Sequence, residues 1–264
     1  MATILWLNDL PLWASVLVLV GGSIVLSIIG AAVAGIFFGE QELSLNNIVG
    51  GFKYLYISGL YAGFLGFLLF GVYSRYDNTR SDIIREVGEL TTLDRLAIAF
   101  PAATRILLRQ GLKEYARQVV EVEWPQLHDR STRLTAISAL DTLDYAYGAV
   151  EPTTRKQREV TQYSLKILGE IRDKRGIRVL RSQGSLQALL WAVTLTGTAV
   201  TIIFPWVFGS PNVNATMLMS ILSTLLMASI VLVVLKLSYP FTGDYGIPST
   251  PYSAFIDEVS ARGD

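Results

Sequence analysis

Four long runs without charge limit this chain more than any other feature. Residues 12–38, 54–73, 186–208 and 217–235 contain no Asp, Glu, Lys, Arg or His. A helix needs about 20 apolar residues to cross the hydrocarbon core of a bilayer, and each run is near or above that length. A buried helix of a soluble domain is usually shorter and amphipathic, so the four runs read as transmembrane spans 1 to 4. Residues 1–11 carry no Lys or Arg and the first run is too long for a leader's apolar core, so it reads as a span.

Composition narrows the chemistry. Only 17% of the 264 residues are charged and 51% are hydrophobic, against roughly a quarter charged in ordinary soluble domains. Lys+Arg and Asp+Glu both number 22, so no net basic field draws nucleic acid. There is no cysteine and one histidine, His128, which excludes disulfides, thiolate catalysis and Cys/His zinc sites. The carboxylates cluster loosely: Glu86 with Glu89, Asp141 with Asp144, and Glu121, Glu123 and Asp129 around Trp124-Pro125. None forms the defined loop of about six oxygen ligands that calcium needs. They read as solvated or arginine-paired faces, and His128 with Asp129 as a surface pair. No metal, cofactor or catalytic residue is expected.

The basic residues set an orientation. Of the 22 Lys and Arg, all but Lys53, Lys236 and Arg262 lie between Ser74 and Ser185. The positive-inside rule places that stretch, and with it both termini, in the cytoplasm. The expected fold class is all-α: four transmembrane helices with a helical cytoplasmic domain inserted between spans 2 and 3. The expected divisions are an N-terminal hairpin (1–73), the inserted domain (74–185), a C-terminal hairpin (186–238) and a cytoplasmic tail (239–264).

The insert shows helical periodicity throughout. Ile83, Val87, Leu90, Leu93 and Ala97 recur at offsets of 3 and 4; Leu108, Leu112, Tyr115, Val119 and Val122 form a strict 4-3-4-3 series; Leu134, Ile137, Leu140, Leu143 and Tyr147 follow. Such stripes bury one side of each helix. Pro101 is expected to start a helix. Trp124-Pro125 is expected to end it at a sharp joint with Trp124 buried, because a residue before proline avoids the helical region. No proline separates span 2 from the first helix of the insert, so the two read as one continuous rod.

Several stretches, taken in order, resemble the bacterial membrane proteins grouped as bestrophin-like. They are Tyr61-Ala62-Gly63-Phe64-Leu65-Gly66-Phe67; Glu89, Leu90, Leu93 and Arg95 through Phe100-Pro101 to Arg105 and Tyr115; Glu123-Trp124-Pro125; Ile177-Arg178-Val179-Leu180 leading to Leu190-Trp191; and Tyr239-Pro240-Phe241-Thr242-Gly243 with Pro248 and Phe255. Ser238-Tyr239 departs from the Asp-Arg that usually precedes the family's Pro-Phe, so any ion pair of that dipeptide is missing. The resemblance implies a multi-pass protein of a bacterial inner membrane, plasma or thylakoid-type. Through the distant likeness to bestrophins it also implies an oligomeric anion channel with an apolar neck on the second span. Phe64, Phe67 and Phe70 are then the gate candidates, with a packed or lipid-facing phenylalanine set as the other reading.

Two further rows carry candidate roles. Small residues in span 1 (Ser23, Ser27, Gly35) and in span 2 (Gly59, Gly63) let helix backbones approach closely, either within the chain or between subunits. Thr194, Thr198 and Thr201 in span 3, with Ser220 and Thr224 in span 4, offer hydroxyls to an ion path. The same hydroxyls can instead bond their own i−4 carbonyls. No span carries the ionisable group that pumps and proton-coupled carriers use. Two functions therefore stand side by side. One is a passive, oligomeric channel for chloride or another small anion. The other is a non-catalytic scaffold or accessory subunit of a larger membrane complex.

Overall fold

The structure, a computed structural model, describes residues 2–37, 47–129, 137–208 and 213–262. Among these residues every regular element is a helix and no strand occurs. Four helices are long and apolar enough to cross a membrane. The chain forms two compact units: Met1–Arg75 with Ser185–Ser238, and Tyr76–Gly184 with Tyr239–Asp264.

The first unit holds α1 (Ala2–Asp9), α2 (Leu12–Phe37, with a π turn at Leu17–Gly21) and the N-terminal part of α3 (Asn47–Leu96). The α3 helix is 50 residues long, because nothing between span 2 and the insert breaks it. Later in the chain come α4 (Ala102–Gln118), α5 (Ile137–Gly148), α6 (Arg155–Ser182), α7 (Ala188–Ile203), α8 (Val213–Ser238) and α9 (Thr250–Ala261). Of these, α7 and α8 belong to the first unit and α4, α5, α6 and α9 to the second.

In the first unit α8 packs along α2 and α7. Val20 meets Ala228 and Leu232 there, with Leu12, Leu19 and Ile24 around them. Close approach occurs at particular glycines. A Cβ at Gly30 would collide with the Trp206 ring, and one at Gly197 with the Tyr61 ring. The buried Lys236 ammonium donates to the carbonyls of Asn8 (3.0 Å) and Leu10 (2.7 Å). Those carbonyls lie at the C-terminal end of α1, Asn8 in its last turn and Leu10 just beyond it, where a helix end leaves acceptors unsatisfied and a cation is favoured.

The second unit has an apolar core of the expected stripe residues, including Leu90, Leu93, Leu108, Leu112 and Leu143, joined by Leu168. The α4 and α5 helices touch where Gly111 faces Leu143, 2.9 Å from a Cβ built on the glycine. The segment after Ser238, read from sequence as a separate tail (239–264), contributes to this core. Phe241, Ile247, Tyr252, Phe255 and Val259 are buried in it. Pro101 is the N-cap of α4, as expected. Gly184, at φ +98°, separates α6 from α7, and a Cβ there would press on the Tyr239 ring.

The expected helix end at Trp124-Pro125 is corrected. A π turn, Val119–Glu123, continues α4, and Trp124–His128 remains helical beyond it. A proline inside a helix pushes its ring at the carbonyl four residues back and leaves that carbonyl without its donor. The wider π turn directly before Pro125 relieves both demands. It also adds one residue to the helix, and this shifts the stripe. Val122, expected inside, is only half-buried, while Glu123 takes the inner position at 1% exposure. Trp124 is half-buried rather than buried. Leu134 of the next stripe lies outside the described residues.

Candidate functional site

Three groups of side chains were singled out as pore or gate in the sequence, and the first unit places them differently. The threonine stripe of α7 turns toward α3. Each hydroxyl donates to its own helix: Thr194 to Leu190 O (2.7 Å), Thr198 to Thr194 O (2.8 Å) and Thr201 to Gly197 O (2.8 Å). Thr194 and Thr201 are 0% and 1% exposed. Tyr61 of α3 closes over them. Its hydroxyl donates to Thr194 O and lies 2.6 Å from Thr198 Oγ1. Tyr54 reaches Thr201 O at 3.4 Å and stacks on Phe204. Gly197 makes the room for the Tyr61 ring.

Beside this contact an open, mostly apolar groove of about 610 Å³ runs between α3 and α7. Leu60, Phe64, Val193 and Val200 line it, and of the threonine stripe only Thr201 borders it. Ser220 and Thr224 of α8 are buried.

The phenylalanines divide. Phe64 stacks on Tyr61 with ring centroids 6.0 Å apart. Phe67 and Phe70 are 84% and 71% exposed. Gly59, Gly63 and Gly66 have nothing within 4 Å of an added Cβ, and Gly35 of α2 is equally open. In the same helix Ser27 is buried and receives the Trp206 indole N–H at 3.4 Å, while Ser23 donates to Leu19 O. Thus one face of span 2 packs tightly on span 3 and the opposite face, rich in glycine and phenylalanine, is bare.

The second unit contains a feature that periodicity did not reveal, a buried ionic cluster drawn from four helices. Arg178 of α6 lies at its centre, 3% exposed. Its Nε and Nη2 donate to Glu123 Oε1 at 2.8 and 2.6 Å, and its Nη1 donates to Glu86 and, at 2.7 Å, to the Tyr252 hydroxyl. Arg175 Nε donates to Glu123 Oε2 at 2.6 Å, and the Tyr115 hydroxyl to Glu86 Oε1 at 2.8 Å. The guanidinium carbon also stands 5.8 Å from the Trp124 ring centre and 5.6 Å from that of Tyr252. Trp124 in turn donates from Nε1 to Ile247 O at 3.0 Å.

Two carboxylates meet two guanidinium groups, so the cluster is neutral as a whole. Burial opposes the Arg178 charge, but Glu86, Tyr252 and Glu123 outweigh it and hold its pKa well above the ordinary value. Burial, reinforced by the Glu86 carboxylate, pushes the Tyr115 phenol well above 10.0. The cluster has no metal-ligand set and no nucleophile beside a base; it is a hydrogen-bonded joint. Around it run further pairs: Arg181–Asp82 (2.7 Å), Lys174–Glu89, Arg109–Asp94 (2.8 Å) and Arg262–Asp94 (3.0 Å). His128, expected to pair with Asp129, instead has Nδ1 3.2 Å from Phe241 O.

Tyr115, Glu123, Trp124, Arg178 and Phe241 came from separate stretches of the resemblance. The fold gathers them at this one joint, which is the physical content those scattered motifs share.

Comparison with known proteins agrees with the fold. The structure superposes on a bacterial bestrophin homologue from Klebsiella pneumoniae carrying a leucine-to-threonine substitution. The TM-score is 0.72 at 13% identity, covering 93% of this chain and 99% of that one. An isoleucine-to-threonine variant of a bestrophin homologue from the same organism gives 0.65 at 14% identity, with 91% and 95% covered. No curated protein matches in sequence. The model of the Bestrophin-like domain matches residues 21–252. With its membrane-type helices and a family match over most of its length, this membrane protein belongs to the Bestrophin-like family.

Proposed function

We propose that the chain is one subunit of an oligomeric channel that passes small anions such as chloride passively, with the bare face of span 2 toward the conduction path. The observation that carries this reading is the exposure of Phe67 and Phe70 beside Gly59, Gly63 and Gly66 on a helix whose other face is fully used. Lipid gives helices no hydrophobic reason to associate, and small residues are where backbones of neighbouring helices come close. Phenylalanines on such a face supply an apolar constriction that gates by dewetting. Phe67 and Phe70 take this role, and Phe64, stacked on Tyr61, supports them from behind. The hydroxyls of Thr194, Thr198 and Thr201 are committed to their own helix, so their part is to fix span 3 against span 2. Ser220 and Thr224 stand in the second rank with them.

The concentration of basic residues between Ser74 and Ser185 supports a cytoplasmic second unit and cytoplasmic termini in a bacterial inner membrane. We keep the division into an N-terminal hairpin, an inserted domain and a C-terminal hairpin as a proposal, and group the chain after Ser238 with the inserted domain, which the two compact units support. The protein acts as a conductor and not as an enzyme or a pump: the charge-free runs 12–38, 54–73, 186–208 and 217–235 hold no Asp, Glu, Lys, Arg or His to move protons, and Lys236, at the C-terminal end of α8, is held by the carbonyls of Asn8 and Leu10. A second reading, a non-catalytic scaffold within a membrane complex, draws on the dry contact between Tyr61 and the threonine stripe, which needs no pore.

Purified protein in liposomes distinguishes them. The channel reading expects chloride to run down its gradient without an energy source, faster in Phe67→Ala because a smaller side chain lets the constriction wet. Sealed vesicles carrying correctly assembled protein and passing no ion would leave the scaffold.

A further inference from the structure

Two boundaries in the sequence meet at one place in the first unit. The charge-free run of span 1 starts at Leu12, just after Asp9, and that of span 4 stops at Leu235, just before Lys236. The Lys236 ammonium, 4% exposed, reaches the Asn8 and Leu10 carbonyls. The start of one span and the end of the other therefore lie at one level, the edge of the membrane, and α1 lies there with them. Pro11, at ψ 151°, takes the chain out of helical geometry between α1 and α2, so α1 does not prolong span 1. The Ser15 hydroxyl donates to Leu7 O at 2.9 Å and draws the end of α1 onto the first turn of α2. On either side of this bend Trp6 and Trp13 are 54% and 68% exposed.

We infer that α1 is a membrane-surface helix whose exposed Trp6 beds in the boundary between phospholipid headgroups and acyl chains, and that Lys236 is the clamp that holds it there. An indole has an apolar body and one N–H donor, so it favours the headgroup level over both water and hydrocarbon. A lysine at the end of a span ordinarily extends its ammonium to the water. Lys236 turns inward instead, to the end of a helix whose last carbonyls have no donor of their own. The ammonium completes that end and meets the negative pole of the helix. Residues 1–11 hold no Lys or Arg, so attraction to anionic headgroups does not fix α1, and its tie is to its own chain. The inference needs only a membrane and holds for a channel and a scaffold alike.

The chain has no cysteine, so one introduced cysteine carries a nitroxide label at a single place. The full chain is labelled at Trp6→Cys and placed in phosphatidylcholine vesicles. Collisions with oxygen, which concentrates in hydrocarbon, and with a water-soluble nickel complex then report the depth of the label. Leu26→Cys, on the exposed side of span 1, and Arg155→Cys, at the exposed start of α6, are the hydrocarbon and water references. The label at position 6 is expected between the two references, with a broad, immobilised line. Adding Lys236→Met should narrow that line to the width of an untethered chain and leave the Leu26→Cys line unchanged. A label at position 6 with the nickel accessibility of the Arg155→Cys reference overturns the surface helix. So does a label shielded from both reagents, which would place Trp6 in a contact between proteins. A line that stays broad in Lys236→Met overturns the clamp, and so does a change at both position 6 and position 26, because Lys236 would then hold the span and not α1.

Discussion

Replacing Arg178 by methionine tests the buried joint of the second unit. The substitution keeps an unbranched side chain of similar reach and removes the charge. Glu123 loses two of its three donors and keeps Arg175; Glu86 keeps the Tyr115 hydroxyl and its hydrogen bond with the Tyr252 phenol; Tyr252 loses the Arg178 donor. Both carboxylates are 1% exposed, so water cannot replace what is lost, and the cluster passes from neutral to −1. Breaking a buried ion pair by removing one partner costs about 3–5 kcal/mol, because a charge remains without compensation. For a chain of this size 1 kcal/mol moves the midpoint by roughly 2–4 °C. Thermal unfolding in detergent, followed by circular dichroism, should therefore shift down by roughly 6–20 °C. Adding Glu86→Gln to Arg178→Met removes the stranded charge and should recover part of the loss. If Arg178→Met melts within a degree or two of wild type, or if the double variant melts below the single one, the joint does not hold the unit together as argued.

Gly197→Ala sets a Cβ into the Tyr61 ring, so it should destabilise the protein by about 1–3 kcal/mol as overpacking does, whereas Gly63→Ala, where space is open within the chain, should leave the melting of the single subunit unchanged; paired melting curves check both. The buried phenols of Tyr115 and Tyr252 have folded pKa values raised well above 10.0, so the folded state keeps protons the unfolded state releases. Stability is then undiminished below pH 10.0 and falls as the pH climbs toward the folded values; unfolding measured at stepped alkaline pH should show that fall, and Tyr115→Phe should make it shallower.

The large features of the fold were legible because they are local. Spans follow from the absence of charge along a run, and the continuity of α3 from the absence of a proline. The glycine rows could be seen, but not which glycines are used. Gly30 and Gly197 seat Trp206 and Tyr61, while Gly59 and Gly63 are open, and periodicity assigns a face without naming its neighbour. The threonine stripe had the right face and an undecided job, since a hydroxyl that bonds its own carbonyl and one that faces an ion path have the same spacing. For the ionic joint, arginine pairing of Glu86 and Glu123 was one of two readings, but neither the burial nor the partners were in reach. Arg178 lies 92 residues from Glu86 and 55 from Glu123, and a pairing over such distances leaves no mark on composition or period.

The π turn at Val119–Glu123 makes the joint a question of chain length. Because the turn carries a surplus residue, Glu123 faces inward by count rather than by kind. Loss of any one residue from the turn would restore the ordinary helical phase, return Val122 to the interior and carry the carboxylate off its two arginines. Substitutions would leave the numbering intact and miss this dependence. A relative that aligned here with a single gap would differ in the wiring of the whole unit, although every side chain of the motif were still present in its sequence.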